Sequence, residues 1–381
     1  SVTSCAVLRW ARSRDDATMQ AEEADGMSKV LKGAIDCDVH PSVPGIQALL
    51  PYLDDYWRDI VEVRGMEGFE SRAYPPLVPA SARSDWRRGA IGAAETVEAL
   101  CEDVLDRWSL DGAVLNCLYG VQQIHDERLA AALCKAVNDW LAEHWLDREP
   151  RLAASIVVPP QNPDLAAEEI ERHADDRRFV QVLMPAMHDL PYGRRYWWPI
   201  YRAAVRHDLP IGLHIGSAYR QPVTAVGWPS FHVEDYVDQT QGMQAQLASL
   251  ISHGVFVEFP ELKVVLIESG VSWLPAFCWR FGKFWRGLRM EVPWVDRAPM
   301  DIVRDHVRLT LQPLDAPEDP DLLERLFEQL GSDKMLLFSS DYPHWRFDGD
   351  DALPKGLPTS TLDRMLAENP KETYIRLGGT S

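Results

Sequence analysis

The chain has 381 residues, of which 46% are hydrophobic and 25% are charged, a composition typical of globular proteins. Its formal net charge of −19 repels phosphate backbones and anionic lipids, which argues against nucleic-acid and membrane partners. No apolar run reaches the length of a membrane span. The length suits one large domain or two medium ones.

The cysteine pattern favours a reducing compartment. The six cysteines form no CxxC pair, and those within apolar runs are expected to be reduced core thiols. These are Cys37, Cys117, Cys134 and Cys278. Residues 1–26 lack the apolar core of a secretion signal, so we expect a cytoplasmic protein. Residues 1–33 are predicted to be a flexible N-terminal extension without catalytic residues.

The first predicted strand carries an unusual set of polar side chains. Residues 35–41 read IDCDVHP, and alternation along a strand turns Asp36, Asp38 and His40 to the same face. Burying two carboxylates and an imidazole together is costly unless they bind a cation or form a dense hydrogen-bond network. This pattern indicates a metal site to which Asp38 and His40 contribute.

Beyond this strand, a proline-rich segment of about residues 41–95 is predicted to be a long insertion. Apolar strand-like runs then alternate with helical patterns. Strands are predicted near residues 34, 113, 152, 179, 210, 263, 307 and 335. Helices are predicted over 96–110, 126–147, 162–175, 198–207, 237–251, 274–287, 321–330 and 362–368.

Such alternation predicts an α/β protein with a parallel sheet. Eight units suit a single (β/α)8 TIM barrel domain over residues 34–381, with the insertion after strand 1. A doubly wound open sheet is the main alternative, although no GxGxxG or Walker motif supports a nucleotide-binding fold.

Polar clusters occur where barrel enzymes carry their active sites, at the C-terminal ends of strands. Besides Asp38 and His40, His214 ends strand 5, Glu268 ends strand 6 and Asp341 ends strand 8. Two imidazoles and two carboxylates, from Asp38, His40, His214 and Asp341, would neutralise a dication. The set suits zinc, with manganese or iron as alternatives. Taken singly, a strand histidine such as His214 is more often a hydrogen-bonded core residue, and Asp341 could cap a turn.

Other residues are candidates for substrate contact. His188 follows strand 4, Arg220 follows strand 5 and His344 follows Asp341 by three positions; each could equally be a solvated loop residue. Arg220 could pair with a substrate carboxylate. Several of the 14 tryptophans follow predicted strands, where they would line an aromatic pocket or bury a homodimer interface.

Several strand-end motifs resemble the amidohydrolase superfamily as a set. They are IDCDVHP, LHIG, the run around FPELKVV, ESG followed by WLP, and SSDYPH. The resemblance covers roughly residues 34–378 and is greatest to the amidohydrolase 2 branch, related to aminocarboxymuconate-semialdehyde decarboxylase. It implies a (β/α)8 barrel with one divalent metal held by the same four residues. Two departures stand out: Asp38 replaces the first His of the usual HxH motif, and Glu268 replaces a His of the branch's decarboxylases.

The second departure favours hydrolysis, so the expected function is a metal-dependent hydrolase of a small aromatic or cyclic molecule. Asp341 would be the general base of a metal-bound water. Glu268 would act as general acid or base with a raised pKa, although a structural acid is an equal alternative. A non-oxidative decarboxylase of an aromatic or unsaturated acid is the second interpretation. A third is an inactive barrel that serves as a binding protein.

Overall fold

Eight parallel strands build one sheet in which neighbours in sequence are neighbours in space. The computed structural model describes residues 30–69, 92, 94–216, 221–344, 353, 357 and 359–379. The strands are β1 (Ile35–Val39), β2 (Gly112–Leu115), β3 (Leu152–Val157), β4 (Phe179–Pro185), β5 (Ile211–His214), β6 (Val264–Ile267), β7 (Val307–Thr310) and β8 (Leu336–Leu337).

Backbone hydrogen bonds join the two ends of the sheet. The Cys37 N–H donates to the Phe338 carbonyl, and the His40 N–H donates to the Tyr342 carbonyl, each at 2.9 Å. Val39 and Tyr342 also form a parallel bridge. The strands therefore close into the predicted (β/α)8 barrel, and the open-sheet alternative is excluded.

Helices cover the outside of the barrel. They are α1 (Asp55–Val63), α2 (Val97–Leu100), α3 (Glu127–Leu141), α4 (Pro163–Arg172), α5 (Trp198–Arg206), α6 (His232–Ser252), α7 (Val255–Glu258), α8 (Trp273–Leu288), α9 (Pro299–His306), α10 (Pro320–Leu330), α11 (Thr359–Asp363) and α12 (Asn369–Thr373). Several of these helices start after a residue whose side chain accepts hydrogen bonds from the first N–H groups, which have no acceptor within the helix. Asp126 starts α3 and Asn162 starts α4 in this way.

Four helices fall outside the predicted set: α1, α7, α9 and α12. Helices α7 and α12 are only four and five residues long. Helix α1, and the 3₁₀ helix Ile46–Tyr52 before it, lie in the segment predicted to be irregular. Helix α9 begins at Pro299, where the missing proline N–H costs nothing at the first helical position. Of the predicted insertion, residues 70–91 and 93 lie outside the described part of the chain, as do residues 1–29 of the predicted extension. The domain boundaries therefore stay predictions.

The barrel interior is closely packed. Every strand residue is buried, in agreement with a parallel sheet covered on both faces. Five cysteines in the described residues have free thiols. No helix in this part of the chain combines the length and apolarity needed to cross a membrane. This packing fixes the positions of the strand ends that carry the polar residues.

Candidate metal centre

The C-terminal ends of β1, β5 and β8 bring three of the predicted metal ligands, Asp38, His214 and Asp341, around the fourth, His40. His40 Nε2 lies 3.2 Å from Asp38 Oδ1 and 3.2 Å from Asp341 Oδ1. The rings of His40 and His214 meet edge to face, with centroids 5.1 Å apart. All four side chains are almost fully buried. Parallel strands that share one barrel end explain how residues distant in sequence converge.

Two further residues join this cluster. Glu268 Oε1 lies 2.8 Å from His214 Nε2 and 3.3 Å from His40 Nε2. His344 Nδ1 lies 2.6 Å from Asp341 Oδ1, and its ring stacks on His40 at 4.0 Å between centroids. The ligand atoms of Asp38, His40, His214 and Glu268 all lie within 4.8 Å of one another, as do those of His40, Glu268, Asp341 and His344.

The donor atoms of the cluster suit a cation. Among the described residues, the buried atoms Asp38 Oδ2 and His214 Nδ1 have no hydrogen-bond partner. Buried polar groups are normally satisfied, so unsatisfied atoms in one cluster call for a bound group. Imidazole and carboxylate donors fit zinc, manganese or iron, and the carboxylates make the site oxygen-rich.

Backbone strain coincides with the same cluster. Glu268 and Asp341 both adopt the left-handed conformation, with φ of 56° and 59°, which non-glycine residues rarely do. Neighbouring groups hold them there. The Glu268 N–H donates to Thr310 Oγ1 at 3.0 Å, and the Asp341 N–H donates to the Asp38 carbonyl at 3.2 Å. Such conformations concentrate at functional sites.

Mutual electrostatics shift the pKa values of the cluster when no cation is bound. Burial disfavours the charged form of His40, but the neighbouring carboxylates outweigh burial and raise its pKa well above the ordinary value. Burial and the charge of Glu268 raise the pKa of Asp341. Burial opposes ionisation of Glu268 too, yet the surrounding imidazoles hold its pKa well below the ordinary value. The expectation of a raised Glu268 pKa was therefore wrong, because three histidines surround this carboxylate.

Two predicted substrate-contact residues are not part of the cluster as described. His188 packs against the rings of Tyr192 and Trp197, with centroids 6.3 and 5.1 Å away. Arg220 lies outside the described residues. Their roles stay predictions.

A layer of polar residues that was not predicted from the sequence supports the cluster. Asn116 follows β2 and donates from Nδ2 to Asp38 Oδ1 at 2.8 Å. Ser155 on β3 and Gln181 on β4 both donate to Asn116 Oδ1. The sequence contains a signal that could have identified them, since each is a polar residue within an apolar strand-like run. Asp36 also supports the cluster, since its Oδ1 accepts from the N–H groups of Asp38 and Ser340.

Comparison with known proteins identifies the family of this chain and several relatives. The profile of a family described as amidohydrolase matches residues 35–376. A γ-resorcylate decarboxylase from Rhizobium sp. (strain MTP-10005) is 28% identical over 241 residues, which cover 60% of this chain and 71% of that protein.

Solved structures show the same fold. A 2,6-dihydroxybenzoate decarboxylase from Rhizobium superposes with a TM-score of 0.65 at 20% identity, over 91% of this chain and all of that one. A dihydroxybenzoic acid decarboxylase from Polaromonas sp. JS666, solved with manganese and the inhibitor 2-nitroresorcinol, gives a TM-score of 0.61 at 19% identity. The superposition covers 90% of this chain and 97% of the Polaromonas chain.

Proposed function

The chain belongs to the amidohydrolase family, and from that premise we propose that it is a metal-dependent decarboxylase that releases carbon dioxide from an aromatic carboxylic acid without oxidation. The observation that carries this proposal is the likeness to γ-resorcylate decarboxylases over 60% of the chain. The buried cluster of imidazoles and carboxylates supports it, since it supplies the ligands that such chemistry needs. A hydroxyl-substituted benzoate is the proposed substrate class.

Decarboxylation is now better supported than hydrolysis, the function preferred from the sequence alone. The feature that favoured hydrolysis remains in the molecule, because Glu268 provides a carboxylate at the end of β6 rather than an imidazole. Its contact with His214 at 2.8 Å gives this carboxylate a place in the cluster under either reaction. Hydrolysis therefore stays as the second candidate.

One divalent cation is the proposed cofactor, with Asp38, His40, His214 and Asp341 as its ligands. When bound, such a cation polarises the substrate's oxygen atoms and neutralises their negative charge. The oxygen-rich donor set suits manganese at least as well as the zinc first expected.

The residues of the chain supply the proton that the reaction requires. Loss of carbon dioxide breaks the bond between the ring carbon and the carboxylate, and the ring carbon must gain one proton. Asp341 is the proposed donor, because its buried carboxyl group contacts two imidazoles of the cluster, those of His40 and His344. His344 is proposed to restore the proton, since its Nδ1 lies 2.6 Å from Asp341 Oδ1 and its side chain is 15% exposed. Glu268 is the second candidate for proton transfer.

Carbon dioxide release tests the proposal. The protein, reconstituted with manganese or zinc, is incubated with 2,6-dihydroxybenzoate and a panel of other hydroxybenzoates, and carbon dioxide and the decarboxylated phenol are quantified. We expect stoichiometric formation of both products, abolished by a chelator. Failure of the whole panel, with turnover of ester, amide or lactone substrates instead, would establish the hydrolase.

A homodimer in the cytoplasm is the proposed state of the enzyme. Helix α8 and the loop after it expose Trp279, Met290 and Trp294 by 61%, 91% and 48%, an apolar surface of the kind that subunits bury. The free thiols agree with a reducing compartment. Light scattering coupled to size exclusion measures the mass, and a monomer at micromolar concentration would contradict the dimer.

A further inference from the structure

Asn116 makes four hydrogen bonds to residues 37–40, one of them to each of the proposed ligands Asp38 and His40. Its N–H donates to the Val39 carbonyl at 2.8 Å, and its carbonyl accepts from His40 Nδ1 at 2.9 Å. Its side-chain Nδ2 donates to Asp38 Oδ1 at 2.8 Å and to the Cys37 carbonyl at 3.4 Å. Since a carbonyl can only accept, Nδ1 of His40 carries the proton and Nε2 is left to face the cluster.

A chain of buried side chains continues from Asn116 across the barrel. Ser155 Oγ donates to Asn116 Oδ1 at 2.7 Å, and Gln181 Nε2 donates to Ser155 Oγ at 2.8 Å and to Asn116 Oδ1 at 3.2 Å. Tyr374, directly after α12, donates from its hydroxyl to Gln181 Oε1 at 3.3 Å. All four side chains have no solvent exposure.

Every donor in this chain points toward Asp38. The direction is forced, because an ionised carboxylate only accepts and therefore requires the amide nitrogen of Asn116 to face it. The amide oxygen must then accept from Ser155 and Gln181, and the oxygen of Gln181 accepts from Tyr374. Hydrogen bonds aligned in one direction polarise one another, so the positive ends of these dipoles accumulate at the carboxylate.

A role in the barrel core alone does not explain these residues. Barrel interiors are usually filled by branched apolar side chains, and each buried polar group left unpaired costs about 1–3 kcal/mol. The chain instead crosses β2, β3 and β4 and ends on the side chain of one residue, Asp38, at the mouth of the barrel. The sequence therefore maintains a polar network whose terminus is a proposed metal ligand.

We propose that Asn116, Ser155, Gln181 and Tyr374 form a positioning chain that orients Asp38 and His40 for the cation and keeps the Asp38 carboxylate available to it. Asn116 is the central positioning residue, and the three others act through it. This inference rests on the metal site of the proposed function. It adds to that site a set of residues that touch neither the cation nor the substrate.

Binding of Co²⁺ to variants tests the chain. The dissociation constant of Co²⁺, from competition with a chelator, and the visible absorption of the bound ion are measured for Asn116→Ala, Gln181→Met and Tyr374→Phe. We expect the affinity to fall about 10- to 100-fold for Asn116→Ala, with altered absorption bands. Smaller losses are expected as the substitution moves further from Asp38, and Gln181→Met serves as the main variant if Asn116→Ala does not fold.

A second buried asparagine provides the matched control. The side chain of Asn138 on α3 makes three hydrogen bonds, two with the backbone of Val157 and one to Glu169, away from the cluster. Asn138→Ala should lower the melting temperature and leave the Co²⁺ affinity and absorption unchanged. Wild-type affinity and absorption in folded Asn116→Ala or Gln181→Met, while wild type binds Co²⁺, would overturn this inference alone. A wild-type protein that binds no divalent cation would overturn the proposed function and the inference together.

Discussion

Asp341 combines an unusual backbone conformation with close contacts to two imidazoles. Its backbone is left-handed, with φ of 59°, and its Oδ1 lies 3.2 Å from His40 Nε2 and 2.6 Å from His344 Nδ1. The sequence pattern placed it at a strand end, but its contacts depend on β1, which lies about 300 positions earlier. A residue with this environment is expected to be intolerant even of isosteric change.

Asp341→Asn tests its role in proton transfer. The amide keeps the shape and one oxygen but cannot deliver a proton, so we expect turnover to fall about 10²- to 10⁴-fold. Metal content should stay close to that of wild type, as plasma emission spectrometry would measure. Asp341→Asn protein with wild-type turnover would remove Asp341 from the chemistry.

Glu149 illustrates a charge that stabilises the fold rather than the site. It accepts from Arg151 Nε and Nη2, each at 2.9 Å, and these bonds lower the pKa of its carboxyl group to about 2. Because the folded pKa lies below the unfolded value near 4.5, the stabilisation is complete above pH 5 and is lost as the pH falls toward 2.

Glu149→Gln should therefore lower the free energy of unfolding at pH 7 by about 1–2 kcal/mol, with partial exposure of the pair taken into account. The difference from wild type should shrink when urea unfolding is repeated at pH 4 and again at pH 3. Glu324→Gln, which removes an exposed carboxylate on α10, controls for net charge. A difference that does not depend on pH would show that the ion pair is not its source.

At the scale of elements, the spacing between β4 and β5 depends on a glycine. A β-carbon added at Gly212 on β5 would lie 2.6 Å from the side-chain amide of Gln181 on β4. The glycine therefore makes room for a member of the positioning chain. Gly282 within α8 has no neighbouring atom within 4 Å of such a carbon.

Substitution by alanine is predicted to have opposite effects on stability at these two glycines. Gly212→Ala should destabilise the protein by about 1–3 kcal/mol, because the added methyl group overpacks the interior. Gly282→Ala should stabilise it by up to about 1 kcal/mol, since alanine is the better helix former. Urea unfolding of both variants measures the two effects, and a neutral Gly212→Ala would contradict the close approach.

At the scale of the whole molecule, the metal site links strand ends that are separated by most of the chain. The proposed ligands lie between Asp38 on β1 and Asp341 after β8 in the sequence. They therefore come together only in the folded protein. A cation that binds only the folded state stabilises it by mass action, by about 2.7 kcal/mol at 100 times its dissociation constant.

Metal removal should consequently lower the melting temperature by several degrees. Calorimetry or fluorescence of chelator-treated protein measures the shift, and added Mn²⁺ or Zn²⁺ should reverse it. His214→Ala, which deletes one proposed ligand, should abolish most of the response. An identical melting temperature with and without metal would argue against the site.

The sequence by itself determined the order of strands, the barrel and the strand ends that carry polar residues. Each of these follows from local patterns: buried strands are continuous apolar runs, and the C-terminal ends of parallel strands meet at one barrel mouth. Four helices escaped prediction. Proline-rich surroundings obscured the short periodic patterns of α1 and α9, and α7 and α12 are too short, at four and five residues, to show a helical period.

Only the tertiary structure decided which of these residues touch. It placed three imidazoles around Glu268 and thereby lowered a pKa that was expected to be raised. It also revealed the chain from Tyr374 through Asn116 to Asp38. Contacts and pKa values arise from the charges and dipoles within a few ångströms of a group, and here those neighbours come from distant strands whose register no local pattern records.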